Sequence, residues 1–217
     1  MAESTLAIFD LDGTITRHDT LVAYLLHAFA REPRRMLRLG ALPAMLVDFA
    51  ADRDRGRLKG RVVRAVLGGL DRAEVAALTA DFLDRRLMGL VRPTALAAIE
   101  AHRSAGARLV LLSASTDFYV RALGARLGFD DVICTEVRWN GDRLDGALLT
   151  ANRRGREKTR CLDALRAENP GARITAYANA ASDLEHLARA DVARLVNPSR
   201  AARRGARRLG IPVVNWN

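Results

Sequence analysis

Short apolar runs alternate with longer segments of helical periodicity along most of the chain. The first run, Leu6-Ala7-Ile8-Phe9, stops at the polar sequence Asp10-Leu11-Asp12-Gly13-Thr14, which predicts a buried strand ending in a carboxylate-bearing loop. The run from Leu109 to Leu112 is continuous enough for a strand that is covered on both faces. Further strands are predicted at 132–135, 174–177, 193–196 and 213–214. This alternation predicts an α/β fold, with a Rossmann-like, mostly parallel sheet and helices on both faces.

The segment from about residue 20 to residue 86 interrupts this alternation with a pattern that is helical throughout. Its breaks fall at Pro33, Gly56 and Gly68-Gly69, and Asp71 followed by Glu74 is a capping sequence for its last helix. We therefore predict that this segment is an all-helical insertion.

A hairpin and several helices are predicted in the second half of the chain. The pair Asn140-Gly141 separates two strand-like segments, which predicts a two-residue turn. Helices are predicted at 94–105, 118–127, 157–166 and 183–190.

The chain has a formal net charge of +10 that comes almost wholly from arginine, since only Lys59 and Lys158 are lysines. Such a surface raises the local concentration of anionic substrates. Basic and aromatic residues do not alternate, and no nucleic-acid-binding motif is present. We therefore expect no specific nucleic-acid partner.

The most apolar stretch, from Leu39 to Ala51, is too short to cross a bilayer and contains Pro43 and Asp48. We therefore predict no transmembrane segment. Four arginines precede the stretch, so two interpretations stay open: a helix packed within the helical insertion, which is favoured, or a helix on a membrane surface.

The cysteines and the N-terminus favour a reducing, cytoplasmic location. Cys134 and Cys161 are far apart, with neither metal-ligand spacing nor a CxxC pair, which indicates reduced structural thiols. The first residues, Met1-Ala2-Glu3-Ser4, lack the regions of a secretory signal. The oligomeric state stays open.

Polar residues with a common chemistry follow several of the predicted strands. Asp10 and Asp12 follow the first strand, Ser113 follows the second, and Asn179 and Asp183 follow a later one, while Lys158 opens a helix. Each alone is explained by a turn, a helix cap or a solvated charge. Ligands of a parallel sheet bind beyond the carboxyl ends of its strands, so these residues are expected to meet.

Together these side chains supply the parts of a phosphoryl-transfer site. Two carboxylates at i and i+2 can share Mg²⁺, and a carboxylate is an effective nucleophile toward phosphorus. Lys158 and Ser113 would neutralise charge on the transferring phosphoryl group. Asp12 could protonate the leaving alcohol and then deprotonate the hydrolytic water.

Four sequence motifs resemble those of the haloacid dehalogenase superfamily, and more narrowly its phosphoserine-phosphatase-like subfamily IB. The first is Phe9-Asp10-Leu11-Asp12-Gly13-Thr14, beside the predicted strand. The other three lie at 109–115, 155–158 and 176–184, and Val196-Asn197-Pro198 resembles a familiar trailing element. The resemblance spans nearly the whole chain.

The resemblance implies a Mg²⁺-dependent phosphatase acting on a small phosphomonoester of an anionic metabolite. It implies that Asp10 is the nucleophile and that Asp12 is the acid/base. It also implies that residues 19–92 form a helical cap of the first type, with 1–18 and 93–217 forming the core. In the phosphoserine-phosphatase relatives an acidic residue near the position of Asp19 binds the substrate amine. The sequence explains Asp19 equally well as the N-cap of a helix. The implied phosphate ligands are Gly13, Thr14, Ser113, Ala114 and Lys158, and the implied metal ligands are Asp10, the backbone carbonyl of Asp12, Asn179 and Asp183.

Two further functions stay open, the first because of a departure from the family pattern and the second because hydrolysis and phosphoryl transfer share their first half-reaction. The fourth motif normally begins Gly-Asp, whereas this chain has Ala178-Asn179, which removes one negative charge from the metal site. A catalytically weak phosphate-binding or regulatory protein is one alternative. A phosphotransferase that passes the phosphoryl group to an alcohol is the other, with lipid head-group phosphates at a membrane as a minor variant.

Overall fold

Six parallel strands form the central sheet of the protein. The computed structural model describes residues 4–217, apart from the side chains of Leu39, Ala41 and Leu42. Residues 1–3, where the predicted core begins and where the expected absence of a secretory signal was argued, lie outside the described residues. The strands are β1 (Thr5–Phe9), β2 (Arg108–Thr116), β3 (Asp131–Thr135), β4 (Val137–Asn140), β5 (Arg143–Leu148), β6 (Arg173–Ala178), β7 (Val192–Val196) and β8 (Val213–Val214). The sheet has the order β3-β2-β1-β6-β7-β8, and β4 and β5 form a separate antiparallel hairpin.

Helices precede or follow each of the sheet strands. The residues between 20 and 90 are almost wholly helical, as predicted, and include a 3₁₀ segment at Pro33–Ala41 and a π turn at Leu83–Leu87. The helices are α1 (Thr20–Arg31), α2 (Leu42–Asp52), α3 (Arg55–Leu67), α4 (Arg72–Phe82), α5 (Met88–Leu90), α6 (Pro93–Ser104), α7 (Asp117–Arg126), α8 (Arg156–Glu168), α9 (Leu184–Leu187) and α10 (Arg200–Arg208).

Both faces of the sheet are buried, which confirms the predicted fold class. Alternate residues of β1 enter two different apolar clusters, Ala7 and Phe9 in one and Leu6 and Ile8 in the other. Side chains of α6 and α7 share the first cluster, whereas side chains of α8, α9 and α10 share the second. Continuous apolar runs therefore mark strands that are covered on both sides.

Three details of the secondary structure differ from the prediction. The helix predicted at 183–190 is shorter, because α9 ends at Leu187 and the Arg189 and Ala190 N–H groups then donate to carbonyls three residues back, as in a 3₁₀ turn. Helix α10 was not predicted, because its sequence is mostly arginine and it buries only two alanines. Strand β2 continues to Thr116 with an irregular register after Leu112, so Ser113 lies inside the strand rather than after it.

The predicted hairpin turn is displaced by one residue. Asn140 pairs with Arg143, so the two turn residues are Gly141 and Asp142. Gly141 has a φ of +57°, and a positive φ at the first central residue of a hairpin turn suits glycine. The turn chemistry therefore depends on this glycine and not on Asn140.

The β4–β5 hairpin packs against the helical insertion. The Leu144 N–H donates to the Leu70 carbonyl at 2.8 Å, and the Gly69 N–H donates to the Leu144 carbonyl at 2.9 Å. A Cβ at Gly60 of α3 would lie 3.1 Å from the Gly146 carbonyl, so the two backbones are close. The insertion is thus held by a segment that comes much later in the chain.

Smaller expectations are confirmed. Asp71 and Glu74 form the predicted capping box at the start of α4, with both hydrogen bonds at 2.8 Å. Cys134 and Cys161 are buried free thiols. Among the described residues, no helix is long and apolar enough to span a bilayer.

Candidate active site

The candidate site lies beyond the carboxyl end of β1, between its neighbours β2 and β6. The chain leaves β1 toward β2 on one side and returns to β6 on the other, which is the switch point where parallel sheets bind ligands. The loop after β1 turns at Gly13, whose φ of +81° is a conformation that favours glycine. The loop carries Asp10 and Asp12 toward a common cavity.

Asp10 is buried and held by two hydrogen bonds. The Lys158 Nζ donates to its Oδ1 at 2.6 Å, and the Thr14 Oγ1 donates to its Oδ2 at 2.8 Å. Burial raises the pKa of Asp10 above its ordinary value, while the charge of Lys158 opposes the rise. The carboxylate is therefore fixed in orientation and poorly solvated, as a reactive nucleophile requires.

Lys158 lies between two carboxylates. Its Nζ is 2.6 Å from Asp10 Oδ1 and 3.3 Å from Asp183 Oδ1, and all three side chains are buried. Burial by itself would lower the pKa of Lys158, but Asp10 and Asp183 together hold that pKa above its ordinary value. A charged lysine next to Asp10 can also receive phosphoryl oxygens.

Asp12 accepts three short hydrogen bonds. Its Oδ1 accepts from the Thr20 N–H and the Thr20 Oγ1, both at 2.6 Å, and its Oδ2 accepts from the Ser115 Oγ at 2.6 Å. Burial raises the pKa of Asp12 to about 6, and the charge of Asp19 adds to the rise. A carboxyl group with this pKa can both give and take a proton near neutral pH.

Asn179 reaches the same loop from β6. A Cβ built on Gly13 would lie 2.1 Å from Asn179 Nδ2, so the amide side chain fills the space above that glycine. Asp183 is buried, and its Oδ2 accepts from the Ala180 N–H at 3.3 Å. The structure thus brings together the side chains of Asp10, Asn179 and Asp183, with the backbone of Asp12 nearby.

This donor set is compatible with Mg²⁺. Within residues 4–217 no group of three or more His, Cys, Asp or Glu side chains is placed to hold a metal. Mg²⁺ needs only one or two carboxylates beside waters and substrate oxygens, and all the donors here are oxygens. Asp10 and Asp183 supply two carboxylates and Asn179 supplies an amide oxygen, so the residues fit a Mg²⁺ site of reduced charge.

The predicted phosphate ligands lie at different depths. Gly13, Ala114 and Lys158 line the cavity. Ser113 is fully buried, and its Oγ accepts from the Ser115 N–H at 3.0 Å. Thr14 is also fully buried and contacts Asp10. The wall that β2 presents to the cavity therefore consists of Ala114 and Ser115, with Ser113 behind them.

A cavity of about 640 Å³ opens above the β1 loop. Asp19 lines it and is at the same time the N-cap of α1, because its Oδ1 accepts from the Val22 N–H at 3.0 Å. The cavity wall facing the carboxylates comes largely from the helical insertion. Its apolar members are Leu21, Val22, Leu25, Phe49, Leu58 and Val62.

The sequence reasoning missed Lys59, which enters the cavity from α3. Its Nζ donates to the Ala114 carbonyl at 2.5 Å and to the Asn152 Oδ1 at 2.8 Å. Burial lowers the pKa of Lys59 to about 8, although Asp12 and Asp19 oppose the change. The available signal was that Lys59 is one of only two lysines in an arginine-rich chain.

The sequence reasoning also missed the second layer around Asp12. The Tyr119 hydroxyl lies 2.8 Å from the Thr20 Oγ1, which itself donates to Asp12, and Tyr119 is fully buried. Thr20 of α1 and Ser115 of β2 therefore hold Asp12 together, and Tyr119 contacts Thr20.

Comparisons with known proteins place the chain in a family. The model of the haloacid dehalogenase-like hydrolase family matches residues 7–188. Protein CicA of Caulobacter vibrioides is 35% identical over 191 residues, which are 87% of this chain and 84% of that protein. A Mycobacterium tuberculosis protein named "Probable phosphatase" is 26% identical over 98% of this chain and 76% of its own length.

A solved structure of phosphoserine phosphatase, described as a phospho-aspartyl intermediate analogue, has a similar fold. It superposes with a TM-score of 0.65 and 14% identity, over 97% of this chain and 92% of that chain. The chain therefore belongs to the haloacid dehalogenase-like hydrolase family, and its fold matches that of phosphoserine phosphatase. It is a hydrolase, and the family predicted from the four motifs is confirmed.

Proposed function

We propose that the protein is a Mg²⁺-dependent phosphatase that hydrolyses a phosphomonoester through an aspartyl-phosphate intermediate on Asp10. The observation that carries the proposal is the setting of Asp10 at the cavity floor, where Lys158 and Thr14 fix its two oxygens. Asp12, two residues further, is the neighbouring carboxyl group with a pKa of about 6. The pair supplies a nucleophile and an acid/base on one loop.

The proposed reaction has two displacements at phosphorus. First, a carboxylate oxygen of Asp10 bonds to phosphorus, the bond from phosphorus to the ester oxygen breaks, and protonated Asp12 gives its proton to the leaving alcohol. Second, a water bonds to phosphorus, Asp12 takes a proton from that water, and the bond from phosphorus to Asp10 breaks. Inorganic phosphate leaves, and both aspartates return to their starting states.

Bound Mg²⁺ would neutralise charge on the phosphoryl oxygens. Asp10, the backbone carbonyl of Asp12, Asn179 and Asp183 are the groups that would hold it. Lys158 would bind phosphoryl oxygens with Gly13, Ala114 and the backbone of the β1 loop, while Thr14 and Ser113 support the loop and strand from behind.

We assign residues 19–92 the role of a cap that covers the reacting groups and limits water to the one that reacts. Support comes from the apolar cavity wall that the insertion provides and from Lys59, which joins α3 to Ala114 and Asn152 of the core. Asp19 would then contact the leaving group of the substrate while it caps α1.

The test is phosphate release from a panel of phosphorylated metabolites, with and without Mg²⁺. Magnesium-dependent release should be lost in Asp10→Asn, since an amide is a poor nucleophile. Asp163→Asn is the matched control, because Asp163 is partly exposed and pairs with Arg189 on the surface. Equal thermal stability of the two variants must accompany the comparison. Full release by Asp10→Asn would overturn the covalent mechanism.

A second function is favoured by Asn179 alone. With one carboxylate fewer, the site could bind phosphate and turn it over slowly, as a regulatory protein would. Binding of inorganic phosphate by the parent without release from any substrate would support that function. Transfer of the phosphoryl group to an added alcohol, seen as a phosphorylated product, would instead identify a phosphotransferase.

A further inference from the structure

Exposed apolar side chains are concentrated on one part of the helical insertion. Of the nine large apolar side chains that are exposed in the described part of the chain, six lie between residues 22 and 47. Leu37 is 83% exposed and Val47 is 68% exposed, although α2 buries Met45. We call these six side chains the insertion apolar surface: Val22, Leu26, Met36, Leu37, Leu46 and Val47.

On α1 and α2 this surface adjoins the wall of the active-site cavity. Val22 is 54% exposed and also lines the cavity, and Leu26 follows it one turn later on α1. On α2, Phe49 lines the cavity and Leu46 lies three residues before it, on the same side of the helix. An apolar path therefore leads from above Asp10 to the outside of the insertion.

The insertion that bears this surface is positively charged. Residues 19–92 contain fourteen lysines and arginines and nine acidic residues, which gives 14 − 9 = +5. Next to the exposed leucines, Arg31 pairs with Asp81 and Arg35 pairs with Glu32, so the excess charge is spread over the insertion. A second copy would present the same charge and be repelled. An anionic surface with an apolar interior complements both the arginines and the exposed leucines.

We propose that the insertion apolar surface docks on an anionic lipid bilayer, and that the phosphomonoester taken by the enzyme is a lipid whose apolar chain lies along Val22 and Phe49. The second part rests on the proposed phosphatase function, whereas the docking does not. Since no described helix can span a bilayer, the contact is interfacial. The phosphate would enter the carboxylate end of the cavity while the chain remains toward the membrane.

The docking is tested by sedimentation with vesicles of phosphatidylglycerol and phosphatidylcholine, and with vesicles of phosphatidylcholine alone. The parent should pellet with the anionic vesicles only. Leu37→Asp should weaken this binding at least about tenfold, because an apolar side chain that would enter the bilayer becomes charged. Leu149→Asp is the matched control, since Leu149 is 65% exposed and lies outside the insertion.

The substrate class is tested by phosphate release from phosphatidic acid in the same vesicles and from soluble p-nitrophenyl phosphate. Leu37→Asp should lower release from phosphatidic acid at least about tenfold and leave p-nitrophenyl phosphate release unchanged. Failure of the parent to pellet, equal loss in Leu149→Asp, or a parent dimer that Leu37→Asp dissociates would overturn the docking. Pelleting with release from p-nitrophenyl phosphate but not from phosphatidic acid would uphold the docking and overturn the lipid substrate alone. Release from neither these compounds nor the metabolite panel would overturn the phosphatase function as well.

Discussion

Replacement of Lys158 by Met tests the electrostatic organisation of the site. The side chain is buried with its Nζ 2.6 Å from Asp10 Oδ1 and 3.3 Å from Asp183 Oδ1. Met has a similar length and no charge, so the variant would leave two buried carboxylates facing each other. We expect a large loss of folding stability as well as of activity.

The size of the loss follows from these distances. At an effective dielectric constant of about 20, charges separated by 2.6 Å and 3.3 Å attract by about 6 and about 5 kcal/mol. Much of this offsets the desolvation of the three groups, and a carboxyl group can take up a proton once Lys158 is absent. The net loss should therefore be about 3–5 kcal/mol, which corresponds to a fall in Tm of roughly 6–20 °C for a chain of this size.

The assay is urea unfolding at pH 7 without divalent cations, for the parent, Lys158→Met and Lys59→Met. Lys59 is the matched control, because the partners of its Nζ are a backbone carbonyl and an amide oxygen, both neutral. In an Asp10→Asn background the loss from Lys158→Met should shrink by about 1–3 kcal/mol, as coupled neighbours require. A loss below about 1 kcal/mol in the parent background, or an identical loss in both backgrounds, would refute the reasoning.

Three further predictions concern residues around the same cavity. Folding lowers the pKa of Lys59 from 10.5 to about 8, so the buried charge costs at most about 3 kcal/mol. The free energy of unfolding should therefore rise between pH 8 and pH 10.5. Lys59→Met should lack this rise in urea unfolding, and parallel pH curves would contradict the burial of its charge. Asn179→Asp should lower the Mg²⁺ concentration for half-maximal phosphate release at least about tenfold, and an unchanged Mg²⁺ dependence would remove Asn179 from the metal site. Gly13→Ala should lower both kcat/KM and stability, because its φ is +81° and the new Cβ would meet Asn179. Gly141→Ala is the control, since Gly141 has a φ of +57° and no atom within 4 Å of the added Cβ; it should lower only the stability, by about 1–2 kcal/mol. Equal losses of kcat/KM in the two glycine variants would contradict the role of the contact between Gly13 and Asn179.

The parts of the fold that could be predicted are those whose signal is local. The apolar run before Asp10 and the run from Leu109 to Leu112 predict strands because both faces of the sheet are covered. A strand with one face in solvent would instead have alternated apolar and polar residues. Helix α10 was not predicted because it buries only Ala202 and Ala206, so its sequence lacks the large apolar residues that mark an amphipathic helix. The end of β2 was not predicted because most of its last residues, from Ser113 onward, are polar although they are buried beside the cavity.

The parts of the site that could not be predicted depend on distant contacts. Asp10, Asp12 and Lys158 could be identified because each lies both in a family motif and at the end of a strand or the start of a helix. The structure brings all three to one cavity. Lys59 bonds to groups 55 and 93 residues away in the chain, and no local pattern encodes that contact. Tyr119 is similar, since it reaches Thr20 across 99 residues.

The most direct test of the central claim is to trap the covalent intermediate. During turnover of a phosphomonoester, borohydride reduces an aspartyl phosphate to homoserine, which mass spectrometry locates in the peptide that ends at Arg17. The account predicts homoserine at Asp10 only when substrate is present, and none in Asp10→Asn. Homoserine at another aspartate, or unmodified Asp10 in an enzyme that is turning over, would contradict it.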